Sequence, residues 1–203
     1  MNMIELPKDH SDPLVVGVGH HRACYIHPQD ASKCIKVIYN FTDNADVEVK
    51  RECAYYRRLE KYLKDWRGVP RYYGEVETNL GVGYVYDRTV DFDGKPSQTM
   101  LERYQGMKKN PELYDEMLRL VDELERYMTD NHIVTMNVKP KNVLCHRISE
   151  TEIFPVVCDN LGTSAFFPIA VYCPWFARKK LKRQFERMRS KLPSRGDDGV
   201  KWF

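Results

Sequence analysis

The chain has 203 residues, 42% of them hydrophobic and 30% charged, with 32 basic against 29 acidic side chains for a net charge of +3. Those proportions belong to a folded chain with a buried core and exclude a wholly disordered, collagen-like or mucin-like protein. The longest apolar-rich stretch, Ala165 to Phe176, is twelve residues with two prolines, well short of the roughly 20 needed to cross a bilayer. The mixed-charge start MNMIELPKDHSDP has no apolar signal core, so a cytoplasmic protein is expected. Six cysteines, at 24, 34, 53, 145, 158 and 173, form no C-x-x-C pair, which argues against a zinc ribbon or a disulfide framework. The near balance of charge gives no ground to expect a nucleic-acid partner.

In chain order, Leu14 to Gly19 is an apolar run ending in Gly17-Val18-Gly19, and Lys33 to Tyr39 is a β-branched run around Lys36. With the turn residues His27 to Asp30 between them, the two runs predict an antiparallel hairpin. Lys36 shares a strand face with Cys34 and Ile38; on that residue alone, an edge-strand lysine reaching to water explains it as well as a functional cation. A helix is expected from about Asp46 to Lys64, with Asp43 and Asn44 as candidate caps. Glu52 lies on its apolar stripe with Tyr55, Tyr56, Leu59 and Leu63. A carboxylate there, after a strand with an inward lysine, suggests mutual neutralisation, because unpaired buried charge is costly; a boundary glutamate is the plainer alternative.

Beyond a Gly-Val-Pro turn at 68 to 70, Tyr72 to Glu77 and Val82 to Asp87 predict two more strands. The polar segment Asp87 to Ser97 breaks the pattern, so the domain division is expected as 1–87, a linker at 88–96, and 97–203. Ser97 is a candidate cap for a short helix to about Met107, and Asn110-Pro111 for a longer one with apolar residues at 114, 117, 118, 121, 124 and 128. A loop holding Asn137, Lys139 and Asn142 then leads into two short strands, the second ending on Asp159. Amide and carboxylate oxygens are the hard ligands that magnesium takes, and a lysine suits a phosphoryl group.

Val138 to Leu144 (VKPKNVL) resembles the L-K-P-E-N-I-L of protein-kinase catalytic loops, Asp159-Asn160-Leu161-Gly162 resembles a modified D-F-G, and CIKV resembles the V-A-I-K strand. More closely, WRGVPRYYG, GYVYD, DFDGKPS, CHRISE and PVVCDNLG are similar to the bacterial YrbL family, named for the PhoP regulatory network, over about Val16 to Thr163. The resemblance implies an α+β, bilobal protein-kinase-like fold: an N-terminal antiparallel sheet with one helix, then a reduced, mainly helical C-terminal lobe. It implies ATP and Mg2+ as cofactors, with Gly17 and Gly19 covering phosphates, Lys36 holding the α- and β-phosphates, Glu52 orienting Lys36, and Asn142 and Asp159 holding magnesium. On that fold, Lys36 and Glu52 are expected together, facing Asp159 across a cleft.

Departures from the kinase pattern bear on activity. Thr135-Met136-Asn137 stands where kinases have H-R-D, and the Asn137 amide is no base; a general base is worth roughly 10² to 10⁴ in rate. Arg22 replaces the third glycine of the nucleotide loop, beside His20 and His21, and 41 residues follow Gly162, few for a full helical lobe. Two function classes therefore remain: a nucleotide-binding regulatory protein or slow phosphotransferase for a small molecule or lipid-sugar head group, and an interaction or scaffold protein that has lost nucleotide and works through its surface and basic C-terminal tail, with a regulatory protein as partner. His27, His132 and His146 lack metal-ligand spacing, and Cys158 reads as a small packed hydrophobe. Finally, Arg178 to Arg195 holds nine basic residues and one acid. If it is helical, Leu181, Phe185 and Met188 form one stripe that either docks onto the second lobe or leaves 178–195 to meet an anionic membrane surface.

Overall fold

The computed structural model describes residues 3–105, 112–163 and 169–192. The chain divides into two compact units, residues 1–61 with 70–89, and residues 62–69 with 90–203.

The first unit is a five-stranded antiparallel sheet ordered β1-β2-β3-β5-β4 with one long helix. Its strands are β1 (Val15–Val18), β2 (Arg22–Ile26), β3 (Lys33–Ile38), β4 (Tyr72–Thr78) and β5 (Gly81–Asp87). The hairpin expected between β1 and β3 is interrupted by β2, which pairs with both. Arg22-Ala-Cys-Tyr-Ile is a true alternation, burying Ala23 and Tyr25, but its arginine and cysteine interrupt the apolar signal that marks a strand. On one face of the sheet Ala23, Tyr25, Ile35, Val37 and Val85 pack with Leu6. Each such large apolar side chain contributes about 1.5–3 kcal/mol when fully buried. The Asn79 side chain fixes the N-terminal segment there, accepting from Leu6 N at 2.8 Å and donating to its carbonyl at 2.9 Å.

On the opposite face lies α1 (Ala45–Leu59), whose Tyr56 ring meets Tyr86 at 5.3 Å and Tyr72 at 5.9 Å. This helix is shorter than expected at its C-terminal end. Its entry also differs: Asn44 is at the cap position, but its backbone is left-handed (φ 61°) and its side chain makes no cap bond. Asp46 and Glu48 in the first turn supply favourable charge at the positive end of the helix instead.

The second unit combines helices with a two-stranded ribbon. Helix α2 (Met100–Arg103) is capped by Thr99 in a reciprocal box with Glu102. Ser97, the expected cap, instead donates its hydroxyl to the buried Asp91 carboxylate, which also accepts from Arg147 N at 3.0 Å. The expected end at Met107 and the Asn110-Pro111 cap lie outside the described residues. The next helix, α3 (Glu112–Asp130), buries Met117, Leu120, Val121, Leu124, Tyr127 and Met128, as its period requires. Strands β6 (Val143–Arg147) and β7 (Ile153–Val157) pair antiparallel with Val143 opposite Val157. A short α4 (Ile169–Tyr172) precedes α5 (Pro174–Arg189).

Helix α5 settles where the predicted tail stripe goes. Ala177, Leu181, Phe185 and Met188 are all buried, and Arg189 reaches α3 with bonds of 2.6 Å to Asp122 and to Glu125. It is thus part of the core of its unit. None of the described helices is long and apolar enough to cross a membrane.

Candidate functional site

The predicted site residues divide between the units: Gly17, Gly19, Lys36 and Glu52 in the first, and Asn137, Lys139, Asn142 and Asp159 in the second.

Within the first unit, Lys36 stands on the central strand β3, opposite Cys24 of β2 and Tyr84 of β5. Its ammonium lies over the Tyr86 ring, 4.9 Å from the centroid, in a cation–π contact. Glu52 is buried on α1, and Arg22 Nη1 donates to its Oε2 at 2.9 Å. Arg22 and Cys24 alternate onto the sheet face that carries Lys36, so two cations and one carboxylate gather on the side of the sheet covered by α1. The neighbouring groups register these charges. A hydrogen bond to Cys34 and burial push the Cys24 thiol well up, while the Lys36 and Arg22 charges oppose the rise. Burial, then the Glu52 charge, pushes the Tyr86 phenol up. Both groups are neutral at physiological pH.

In the kinase pattern Arg22 counts only as a replaced glycine. The structure makes it the charge partner of Glu52, and the missed signal was the β2 alternation that puts Arg22 two residues from Cys24 on one face. The glycines are less constrained than a strained loop requires. A Cβ on Gly17 would meet nothing within 4 Å, and one on Gly19 only the Arg22 carbonyl at 3.4 Å. Gly17 therefore exposes bare backbone beside open space, an arrangement that permits close approach by a ligand. At the turn tip, His20, His21 and Asp43 each bring one ligand-type atom within 4.8 Å of the others. His20 and Asp43 are mostly exposed, and their 3.9 Å approach is a loose surface contact.

In the second unit, the local chemistry of the chain brings Asn142 and Asp159 to the same end of the β6–β7 ribbon. Lys139 precedes Pro140 and is extended (φ −123°, ψ 135°), as the proline ring demands. Pro140–Asn142 then makes one 3₁₀ turn closed by Asn142 N donating to the Lys139 carbonyl at 2.8 Å. The Asn142 carbonyl accepts from Cys158 N at 3.0 Å, directly preceding Asp159. Asn142 is buried and Asp159 half-buried.

Asn137 is tied to the same place. Asn160 Nδ2 donates to Asn137 Oδ1 at 3.3 Å, and the Thr135 hydroxyl lies 3.0 Å from the Asn137 carbonyl and 2.7 Å from the Asn160 carbonyl. Asn160 adopts the left-handed backbone (φ 62°), which asparagine tolerates better than most side chains, and Gly162 does the same at φ 93°. The bridge between Thr135 and Leu161 joins the two segments. From α5, Gln184 Nε2 donates to the Met136 carbonyl at 2.7 Å and the Thr135 carbonyl at 3.2 Å. Sequence reading missed Thr135, Asn160 and Gln184 as supports. For Gln184 the signal was available: it is a polar residue adjoining the buried stripe of α5.

An amide oxygen and a carboxylate at one ribbon end make a hard-donor pair of the kind magnesium takes, with phosphate oxygens and water completing its octahedron. The donor set therefore fits that ion.

Comparisons with known proteins extend along nearly the whole chain. A family model described as PhoP regulatory network protein YrbL matches residues 8–193. The YrbL protein of Escherichia coli (strain K12) is 48% identical over 177 residues, covering 87% of this chain and 84% of that protein, and the YrbL protein of Shigella flexneri matches equally. Among solved structures, residues 1–466 of the kinase Rad53 in complex with AMP-PNP aligns at a TM-score of 0.49 and 18% identity, covering 74% of this chain and 38% of the longer one. The extent of the family match and the identity to the two relatives agree: the chain belongs to the YrbL family of PhoP regulatory network proteins.

Proposed function

We propose that this chain is a cytoplasmic, kinase-like regulatory protein that binds ATP with magnesium and transfers phosphate weakly or not at all. The observation that carries the reading is the convergence of Asn137, Asn142 and Asp159 at one end of the β6–β7 ribbon, held there by Thr135, Asn160 and the Cys158–Asn142 hydrogen bond. Asn142 and Asp159 would hold the metal, whose bound form would neutralise charge on the phosphates. Lys36 would meet the phosphates as a point charge, and Glu52 with Arg22 would fix the electrostatics around it. Gly17 and Gly19 would let backbone approach the nucleotide. Lys139 would face the phosphoryl group in transit. Asn137 would orient an acceptor hydroxyl by hydrogen bonding but could not take its proton.

One observation favours a second reading. Arg22 commits an oxygen of Glu52 to an ion pair, as expected of a chain that keeps this architecture to bind a regulatory protein and has lost nucleotide. Thermal unfolding with and without ATP, in magnesium and in chelator, separates the two. Nucleotide at 100 times Kd stabilises its binder by about 2.7 kcal/mol. A magnesium-dependent rise in Tm that is lost in Asp159→Ala supports binding; an unchanged Tm at millimolar ATP supports the interaction reading.

A further inference from the structure

Burial of the apolar stripe of α5 leaves the other side of the helix facing outward, and its composition is unusual. At 100° per residue, Trp175, Phe176, Lys179, Lys182, Arg183, Glu186 and Arg187 fall on the half opposite Ala177, Leu181, Phe185 and Met188, and Arg178 borders the stripe. All eight are exposed. The other two cations of the helix belong to the interior: Lys180 reaches the Thr163 hydroxyl at 3.3 Å and Arg189 binds α3. The exposed side chains of α5 thus carry five cations against one carboxylate, with four of the cations on the outward half. At its N-terminal end Trp175 is 60% and Phe176 44% exposed, beside Tyr172 of α4 at 67%. Large aromatic side chains so open to water form an exposed apolar patch, and here it adjoins a predominantly basic face.

We propose that this outward face of α5 is a docking surface for an anionic lipid bilayer, with α5 lying in the plane of the interface. The charge pattern fits acidic head groups. Trp175 and Tyr172 are the amphipathic rings that favour the head-group level, and the long stems of Lys179, Lys182 and Arg183 let aromatic side chains sink while the charges stay at the surface. Single-stranded nucleic acid fits less well, because base stacking needs an open ring face. The Lys179 ammonium caps a Trp175 face at 5.2 Å, and the Phe176 ring meets Trp175 at right angles, 4.8 Å between centroids. This inference is independent of nucleotide binding.

The test is sedimentation of the full chain with vesicles of phosphatidylcholine alone, and of phosphatidylcholine mixed with phosphatidylserine, with tryptophan emission read in parallel. Binding is expected only to the mixed vesicles, weakening with salt, with a blue shift that Trp175→Phe removes. Lys182→Gln with Arg183→Gln should lower partitioning about 30-fold, two basic contacts being lost. Thermal unfolding of these exposed-site variants should match the parent, which separates lost docking from lost folding. No sedimentation with mixed vesicles at low salt, equal binding by the double variant, or an RNA oligonucleotide bound while vesicles are not, would each overturn the proposal.

Discussion

Asn137 differs from a proton-accepting residue by one heavy atom, and the side-chain hydrogen bond it accepts does not depend on that atom. The atom that Asn160 donates to is the Asn137 oxygen, so Asn137→Asp keeps an acceptor in place and adds a basic one. Initial rates of ATP hydrolysis should rise at least tenfold, against the roughly 10² to 10⁴ that a positioned base contributes. A brisk parent slowed by the change would mean that Asn137 has a different role. Arg22 makes the opposite kind of prediction. Only 14% of its side chain and 3% of that of Glu52 reach solvent, so Arg22→Met strips a buried carboxylate of a counter-charge. Urea denaturation should show a loss of about 3 kcal/mol, at the low end for broken buried pairs because Lys36 shares that face.

A third residue gives a pH dependence. Burial raises the Glu116 carboxyl, but hydrogen bonds from Arg103 at 2.6 Å and Tyr104 at 2.8 Å outweigh it, leaving the group below its ordinary 4.5. A carboxyl depressed in the folded state adds stability above its unfolded value and loses it as pH falls through the folded one. The second unit should therefore weaken below about pH 4.5, and Glu116→Gln should flatten the slope of unfolding free energy against pH in that window.

Elements whose pattern is local were legible in the sequence. The period of α3 and the stripe of α5 were readable because apolar residues recur on one face; the α3 face is buried as expected, and for the α5 stripe burial is the one of two alternatives that the structure shows. Strand β2 was harder to read, since Arg22 and Cys24 interrupt the apolar signal of its alternation and its place depends on pairing with β3 on one side and β1 on the other. Packing dependence also explains the glycine at 68. A Cβ there would come within 2.3 Å of the Tyr127 ring, whose hydroxyl donates to the Asp65 carbonyl at 2.6 Å. Gly68→Ala should cost about 1–3 kcal/mol through overpacking. For α5, Phe185→Ala should cost about 3–5 kcal/mol in chemical denaturation. An α5 that adds nothing to stability would contradict its place in the core.

For the whole molecule, family membership was carried by contiguous words of sequence, and short contiguous segments also gave Asn137, Asn142 and Asp159 their place. What the sequence left hidden was the apparatus around them. The Arg22–Glu52 pair joins residues 30 apart, and Gln184 reaches carbonyls nearly 50 residues away; contacts of that range exist only after the chain has folded. On the proposed reading these groups serve a nucleotide, and isothermal titration of magnesium-ATP into the intact chain, and into Lys36→Ala and Asp159→Ala, is the measurement that checks it. Saturable one-to-one heat in the parent, absent without magnesium and lost in both variants, is the predicted result. No heat at millimolar nucleotide, or equal heats in all three proteins, would contradict it.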